Sequence, residues 1–199
     1  MEPDFRRGVA GLALGVAGAA IILAYTAVNR RARRRSALAH WGLGWILGAA
    51  GMTAMAAGWT LLGLAGPWVG AWGWRAAGAG VGILALGVYV ASSVHVGRWR
   101  KPAEYGLGLR TEGIYAHVRH PQALALILAA VGTALVSGSL FFLATLPLWL
   151  AYWTAYTYFE ERLELLPAFG EDYRRYQART PRLIPRIGRR PLGGSGNSR

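Results

Sequence analysis

The chain of 199 residues contains no cysteine. Disulfides, thiolate nucleophiles, thiolate zinc sites and iron–sulfur ligation are therefore excluded as intrinsic features, and the redox compartment is left open. Acidic residues are scarce, nine Asp and Glu against 22 Lys and Arg, and Lys101 is the single lysine. No strand-like alternation of apolar and polar residues runs along the chain, so a soluble nucleotide-binding α/β sheet has no support. No convincing internal repeat is present either.

What the chain has instead is apolar length. With 54% hydrophobic residues and a mean hydropathy of +0.28, it is too apolar for an ordinary soluble domain yet short enough to form one compact unit. A net charge of +13 and a pI near 11.2 would suit nucleic acid only if the basic residues lay on a soluble face. They cluster between and after apolar runs, the pattern of the positive-inside rule, so the expected partner is a lipid bilayer and no nucleic acid.

The first apolar run, Gly8 to Val28, ends in Asn29-Arg30-Arg31 and has no small-residue cleavage site after a basic start. It is expected to be a span and not a removable signal peptide. Further runs able to cross roughly 30 Å of hydrocarbon lie at about 40–64, 72–96, 121–137 and 140–158, the last two separated by Ser137-Gly138-Ser139. The expected fold class is an all-α integral membrane protein of about five transmembrane helices, ending in a tight helical hairpin.

Arginines 30, 31, 33, 34 and 35 follow the first run. Arg98, Arg100, Lys101, Arg110 and Arg119 follow the third, and the basic residues from Arg162 onward follow the last. An amino terminus outside and an odd number of spans put these on the cytosolic side, with only Arg6, Arg7 and Arg75 opposite. The loop at 97–120 and the segment from 160 then share one compartment. Trp41, Trp68, Trp72, Trp74 and Trp99 sit near span ends as headgroup-level anchors. Gly11 and Gly15, Gly44 and Gly48, and Gly78 and Gly82 are spaced for close helix packing, although 28 glycines make such spacing common by chance. Residues 1–187 are expected to be one domain, with 188–199 a disordered tail rich in Arg, Gly and Ser.

Two polar blocks carry the chemistry. The first runs from Glu104-Tyr105-Gly106-Leu107-Gly108-Leu109-Arg110 through Gly113 and Tyr115 to His117-Val118-Arg119-His120-Pro121. Its glycines allow a backbone to approach a ligand closely. Pro121 suits the first position of a helix with His120 as cap, and such a helix start, with Arg119 beside it, is a seat for a carboxylate. Taken singly, Arg119 is as well explained as a charge anchor and His120 as a cap.

The second block is Phe159-Glu160-Glu161-Arg162-Leu163-Glu164, where acids emerge from an apolar helix, a costly place for a carboxylate that is not paired, solvated or useful. Glu160 and Glu164 share a helical face, while Glu161 points about 100° away from Glu160. Glu164 is read as a solvated acid. Phe169-Gly170-Glu171-Asp172-Tyr173-Arg174-Arg175-Tyr176 then reads as a short amphipathic helix, followed by an extended strap from Arg179 to Pro185. Tyr173 and Tyr176 share a face, free to cover a pocket or to lie on the bilayer.

Gly113, Tyr115, Arg119-His120-Pro121, Glu160-Glu161, Phe169-Gly170, Tyr173, Tyr176 and the segment from Arg179 to Pro185 resemble the integral-membrane methyltransferases related to isoprenylcysteine carboxyl methyltransferase and the phospholipid N-methyltransferases. The resemblance covers roughly residues 98–187, the expected cofactor-binding half. It implies S-adenosyl-L-methionine as cofactor, bound at the cytosolic end of the last two helices, with contacts from Leu107, Gly108, Leu109, Arg110, Tyr115, His120, Pro121 and Glu161. It also implies that Arg119, His120 and Glu160 take part in the chemistry, with a lipid or small-molecule methyl acceptor; the arginine-heavy, lysine-poor usage and small size suit a bacterial inner membrane as setting.

Arg119 would suit the cofactor's carboxylate and Glu161 its adenine or ribose donors. His117 or Glu160 would serve as base for an acceptor that must lose a proton. Two departures from the family pattern stand out: Ala123 and Ala125 stand where the family has a Tyr and often a Gly, and Thr157 where the isoprenylcysteine enzymes have an Arg. The second departure argues against a prenylcysteine acceptor. The tail also resembles that of NADPH-dependent sterol or enone reductases, and a non-catalytic scaffold of the same fold is a third reading.

Overall fold

In a computed structural model the chain is described over residues 2–33, 38–98 and 109–185. It folds into helices α1 (Glu2–Arg33), α2 (Leu38–Leu64) and α3 (Trp72–Arg98), a one-turn 3-10 helix (Gly113–Ala116), then α4 (Pro121–Ser137) and α5 (Leu140–Glu160). A π-helical turn (Glu161–Leu165) carries α5 into α6 (Leu166–Arg179). No strand occurs among the described residues, apart from an isolated bridge between Trp68 and Ser139.

Four stretches are long and apolar enough to cross a membrane: Pro3–Thr26, Ile46–Leu64, Trp72–Val94 and Leu140–Arg179. The protein is thus an all-α integral membrane protein. The fifth expected span, α4, has 17 residues, about 25 Å of helix against roughly 30 Å of hydrocarbon. The fourth stretch is longer than the apolar run within it, because the π turn and α6 continue the helix past Glu160. Apolar side chains point outward, with Ile83 74% and Trp72 85% exposed, as lipid-facing helices require.

The chain divides into two compact units, Met1–Leu84 with Ile127–Tyr156, and Ala85–Leu126 with Thr157–Arg199. In the first, α1 and α2 touch backbone to backbone. A Cβ on Gly58 would lie 2.5 Å from the Gly15 nitrogen, and one on Gly18 2.5 Å from the Met55 nitrogen. Gly78 and Gly132 make a similar crossing between α3 and α4. Van der Waals packing drives helix association where lipid tails are as apolar as the side chains, and glycine lets it reach its closest range. Gly11 and Gly15 are therefore both packing devices, and so is Gly78, whereas a Cβ on Gly82 would meet nothing within 4 Å; the side chains around Gly44 lie outside the described residues.

Aromatic rings complete this unit. Trp59 meets Phe142 at 5.9 Å and Trp149 at 5.8 Å between ring centroids, and Gly15 leaves room for Trp149. The turn between α4 and α5 is tied to the end of α2: the Ser139 hydroxyl donates to the carbonyls of Leu62 and Ala65, 2.6 Å each. Gly138 makes that turn with φ 62°, a conformation costly for any side chain. The hairpin expected at Ser137-Gly138-Ser139 is present.

Candidate active site

All the described residues of the two polar blocks belong to the second unit. There Glu161, the first residue of the π turn, is 1% exposed. An unpaired carboxylate so placed would cost several kcal/mol, so its partners decide whether the arrangement can exist. Its Oε1 accepts from Arg119 Nε at 2.8 Å and from His120 Nε2 at 3.0 Å. Its Oε2 accepts from Gln177 Nε2 at 3.0 Å and from Arg182 Nε and Nη2 at 3.2 and 2.8 Å. A carboxylate offers about four lone-pair positions, so these five contacts saturate it.

Arg119, 9% exposed, is equally committed. Besides Glu161, its Nη1 donates to the carbonyl of Gln177 at 3.1 Å and to that of Thr180. The strap closes the same knot through its backbone. The amide of Arg119 donates to the Pro181 carbonyl at 2.9 Å and that of His120 to the Arg182 carbonyl at 3.1 Å. Two amides just ahead of α4 are thereby satisfied by the residues after α6. His120 does occupy the cap position, its carbonyl accepting from Leu124 at 3.0 Å, and Pro121, fully buried, begins α4.

The imidazole of His120 lies between two acids, Nε2 on Glu161 and Nδ1 3.1 Å from Glu160 Oε2. Burial by itself lowers a histidine pKa, but hydrogen bonds to Glu160 and Glu161 outweigh it and hold His120 above its ordinary value. A carboxylate oxygen at each ring nitrogen favours the imidazolium form, in which both nitrogens donate. Glu160 differs from its neighbour. It is 30% exposed, and His120 is its partner among the described residues.

Tyr115 sits half-buried in the 3-10 turn, with its carbonyl accepting from the Tyr176 hydroxyl at 2.6 Å. Burial raises the Tyr115 pKa, Arg110 beside its hydroxyl opposes this, and Glu160 adds to it. Leu109 and Arg110 are half-buried next to that turn, while Leu107 and Gly108 lie outside the described residues. His117 is exposed. Tyr173 and Tyr176 both face inward, which decides between the two placements open from the sequence. The Tyr173 hydroxyl is buried with no hydrogen-bond partner among the described residues, within electrostatic reach of Glu161.

The sequence pairs Arg119 with a ligand carboxylate and Glu161 with ligand donors; in this structure both spend those groups on each other and on the strap. Gln177 is a member of the cluster that sequence reasoning did not single out, and Arg182 entered it only as part of the segment from Arg179 to Pro185. Gln177 carried a signal, since it falls beside Tyr173 and Tyr176 on the inward stripe of α6. Gly170 bends α6 with φ 52° and ψ −123°, accessible to glycine, and so aims that stripe. Ala123, Ala125 and Thr157, the positions that depart from the family pattern, are all buried. No group of His, Asp and Glu able to hold a metal occurs among the described residues.

Fold and site together define an all-helical integral membrane protein with a buried carboxylate, Glu161, met by Arg119, His120, Gln177 and Arg182 just beyond the apolar ends of α4 and α5. Residues 75–165 match the family model described as phospholipid methyltransferase. The chain is 32% identical over 119 residues to the protein-S-isoprenylcysteine O-methyltransferase of Schizosaccharomyces pombe, covering 54% of this chain and 48% of that protein. It is 39% identical over 83 residues to methanethiol S-methyltransferase 2 of Bradyrhizobium diazoefficiens, covering 41% and 30% respectively. The matched stretches thus span half or less of these relatives. No solved structure matches at a comparable level. Over these stretches the chain is similar to integral-membrane methyltransferases. The reductase reading has no support among them.

Proposed function

We propose that the protein is an S-adenosyl-L-methionine-dependent methyltransferase acting on a lipid or small apolar acceptor, with its site on the cytosolic side of a bacterial inner membrane. The observation that carries this reading is the convergence of Arg119-His120-Pro121, Glu160-Glu161 and the strap in one unit of a chain whose residues 75–165 match the phospholipid methyltransferase family model. The cofactor carries a carboxylate, an ammonium, a sulfonium and an adenine, so its seat needs both signs of charge. The second unit offers them, with Arg110, Tyr115 and Glu160 at least partly accessible beside the buried cluster. Bound there, the cofactor would supply an already activated methyl group.

The chain's own residues then have to align, exclude water and manage any proton. An acceptor that arrives as a carboxylate or thiolate needs no base. His120 has no free lone pair while it is an imidazolium between two acids, so a protonated acceptor would have to use Glu160 or the exposed His117. Thr157, buried where the isoprenylcysteine enzymes have an arginine, supports an acceptor other than prenylcysteine. The sulfur acceptor in the name of the Bradyrhizobium relative makes small thiols a first class to screen.

The test is binding of S-adenosylmethionine, S-adenosylhomocysteine and NADPH to the purified chain in mild detergent, followed by a screen of thiols, amines and lipids. Saturable adenosyl-ligand binding is expected. Binding of NADPH alone would overturn the proposal, and efficient turnover of a prenylcysteine analogue would overturn its statement on the acceptor.

A further inference from the structure

The charges that follow the apolar part of α5 are mostly paired. Arg119 and Arg182 meet Glu161, and His120 meets Glu160. Arg162 is the exception. It is exposed, its Nη1 donates to the Tyr158 hydroxyl one turn back at 2.8 Å, and it makes no ion pair with a carboxylate among the described residues. A guanidinium has five N–H donors, so one neutral hydroxyl leaves most of Arg162 unused.

Arg182 reaches the same tyrosine from the strap, within the same unit. Its guanidinium carbon lies 5.4 Å from the centroid of the Tyr158 ring and that of Arg162 lies 5.5 Å from it, both within cation–π range. Arg182 spends Nε and Nη2 on Glu161, which fixes the plane of the group and leaves Nη1 without a hydrogen bond among the described residues. Two guanidiniums are thus held at one ring, each anchored through part of its donor set, with further N–H groups to offer. Like charges so placed repel each other, and an anion shared by them turns the repulsion into attraction. Tyr158, Phe159 and Leu163 are exposed there, and Phe159 packs on Tyr158 with ring centroids 5.6 Å apart. The patch closes an apolar helix of 21 residues, long enough to cross the hydrocarbon, so it stands at the depth of lipid phosphates.

We infer that Arg162 and Arg182, gathered at the Tyr158 ring, bind the phosphodiester of an anionic lipid headgroup, whose apolar portion lies against Phe159 and Leu163. Two guanidiniums repel a headgroup ammonium, so a net-negative headgroup is preferred to a zwitterionic one. The lipid is a neighbour of the candidate active site and not the methyl acceptor, so the inference stands apart from the methyltransferase reading. Because Arg182 also holds Glu161, a lipid bound there steadies the strap.

The probes are phosphatidylglycerol, phosphatidylcholine and inorganic phosphate, each added to the full chain in an uncharged maltoside detergent. Bound lipid is counted by native mass spectrometry, and Tm is read by intrinsic fluorescence. Phosphatidylglycerol is expected to bind about tenfold more tightly than phosphatidylcholine and to raise Tm, whereas inorganic phosphate should leave Tm unchanged. Arg162→Gln should weaken phosphatidylglycerol by about tenfold with the lipid-free Tm near wild type, because only an exposed hydroxyl loses its partner. Arg174→Gln removes the same charge from an exposed position of α6 paired with Glu171, and should change lipid binding by less than about twofold. Arg162→Lys keeps the charge without the planar fork and should recover part of the loss. Tyr158→Phe removes the hydroxyl that holds Arg162, should weaken phosphatidylglycerol by about threefold, and serves if Arg162→Gln does not fold. Equal binding of the two lipids would overturn the inference. Equal losses in Arg162→Gln and Arg174→Gln would also overturn it, leaving a general attraction of basic surface to anionic lipid. A rise in Tm with inorganic phosphate as large as that with phosphatidylglycerol would overturn the lipid as ligand.

Discussion

Replacing Glu161 by Gln keeps the side chain's volume and removes its charge, and the cost follows from what is left behind. Arg119, 9% exposed, keeps its two carbonyl acceptors but loses its counter-ion. Arg182, 33% exposed, can turn to water and recovers most of its solvation. His120 loses one of its two acids and keeps Glu160. The amide of the new side chain must also direct an N–H at donors that formerly met a carboxylate oxygen. Breaking a buried pair by removing one partner costs about 3–5 kcal/mol, and the accessible Arg182 puts the expectation at the lower end, about 3 kcal/mol. For a chain of this length that corresponds to a drop in Tm of about 6–12 °C, read by intrinsic fluorescence during heating in detergent. Arg182→Gln should cost about 1 kcal/mol, because its partner retains Arg119, His120 and Gln177. A Glu161→Gln chain within about 2 °C of wild type, or one no less stable than Arg182→Gln, would refute the claim that this carboxylate is the hub of the unit.

His120 makes a pH-dependent contribution. Its folded pKa lies above the unfolded value of about 6.5, so the stability it supplies is fully present below that pH and is lost as pH rises through the folded value. Wild-type Tm should therefore fall from about pH 6 towards about pH 9 more steeply than that of His120→Gln, and parallel curves would contradict the imidazolium assignment. In the first unit, Gly58→Ala places a methyl 2.5 Å from the Gly15 nitrogen and 2.6 Å from the Gly11 carbonyl oxygen. Separating the α1 and α2 backbones to admit it should cost about 1–3 kcal/mol. Gly80→Ala, with nothing within 4 Å, should be neutral or stabilising by up to about 1 kcal/mol in the same thermal assay.

The helices were legible because their cause is local. A run of some 20 apolar residues has one way to satisfy its backbone in lipid, and the sequence spans fall within or overlap the helices found. The order of the polar blocks was legible for the same reason, as Pro121 starts a helix, Gly170 bends one and the tyrosines at 173 and 176 share a face. The roles of the charges were not, because they depend on partners far along the chain. Nothing near Arg119 announces that its counter-ion is Glu161, or that Glu161 is also met by Gln177 and Arg182.

The π turn adds a geometric reason. Counting 100° per residue separates Glu160 from Glu161 and aligns Glu160 with Glu164, but from Glu161 to Leu165 the helix is wound more loosely than that count assumes. The imidazole bridges the two consecutive acids, with Glu160 remaining partly accessible and Glu161 enclosed. Two residues of one type, adjacent in sequence, thus stand in different surroundings: Glu161 has its acceptor positions filled, and Glu160 keeps 30% of its side chain exposed. Partners distinguish Arg119 in the same way: its guanidinium is committed to Glu161 and to the carbonyls of Gln177 and Thr180.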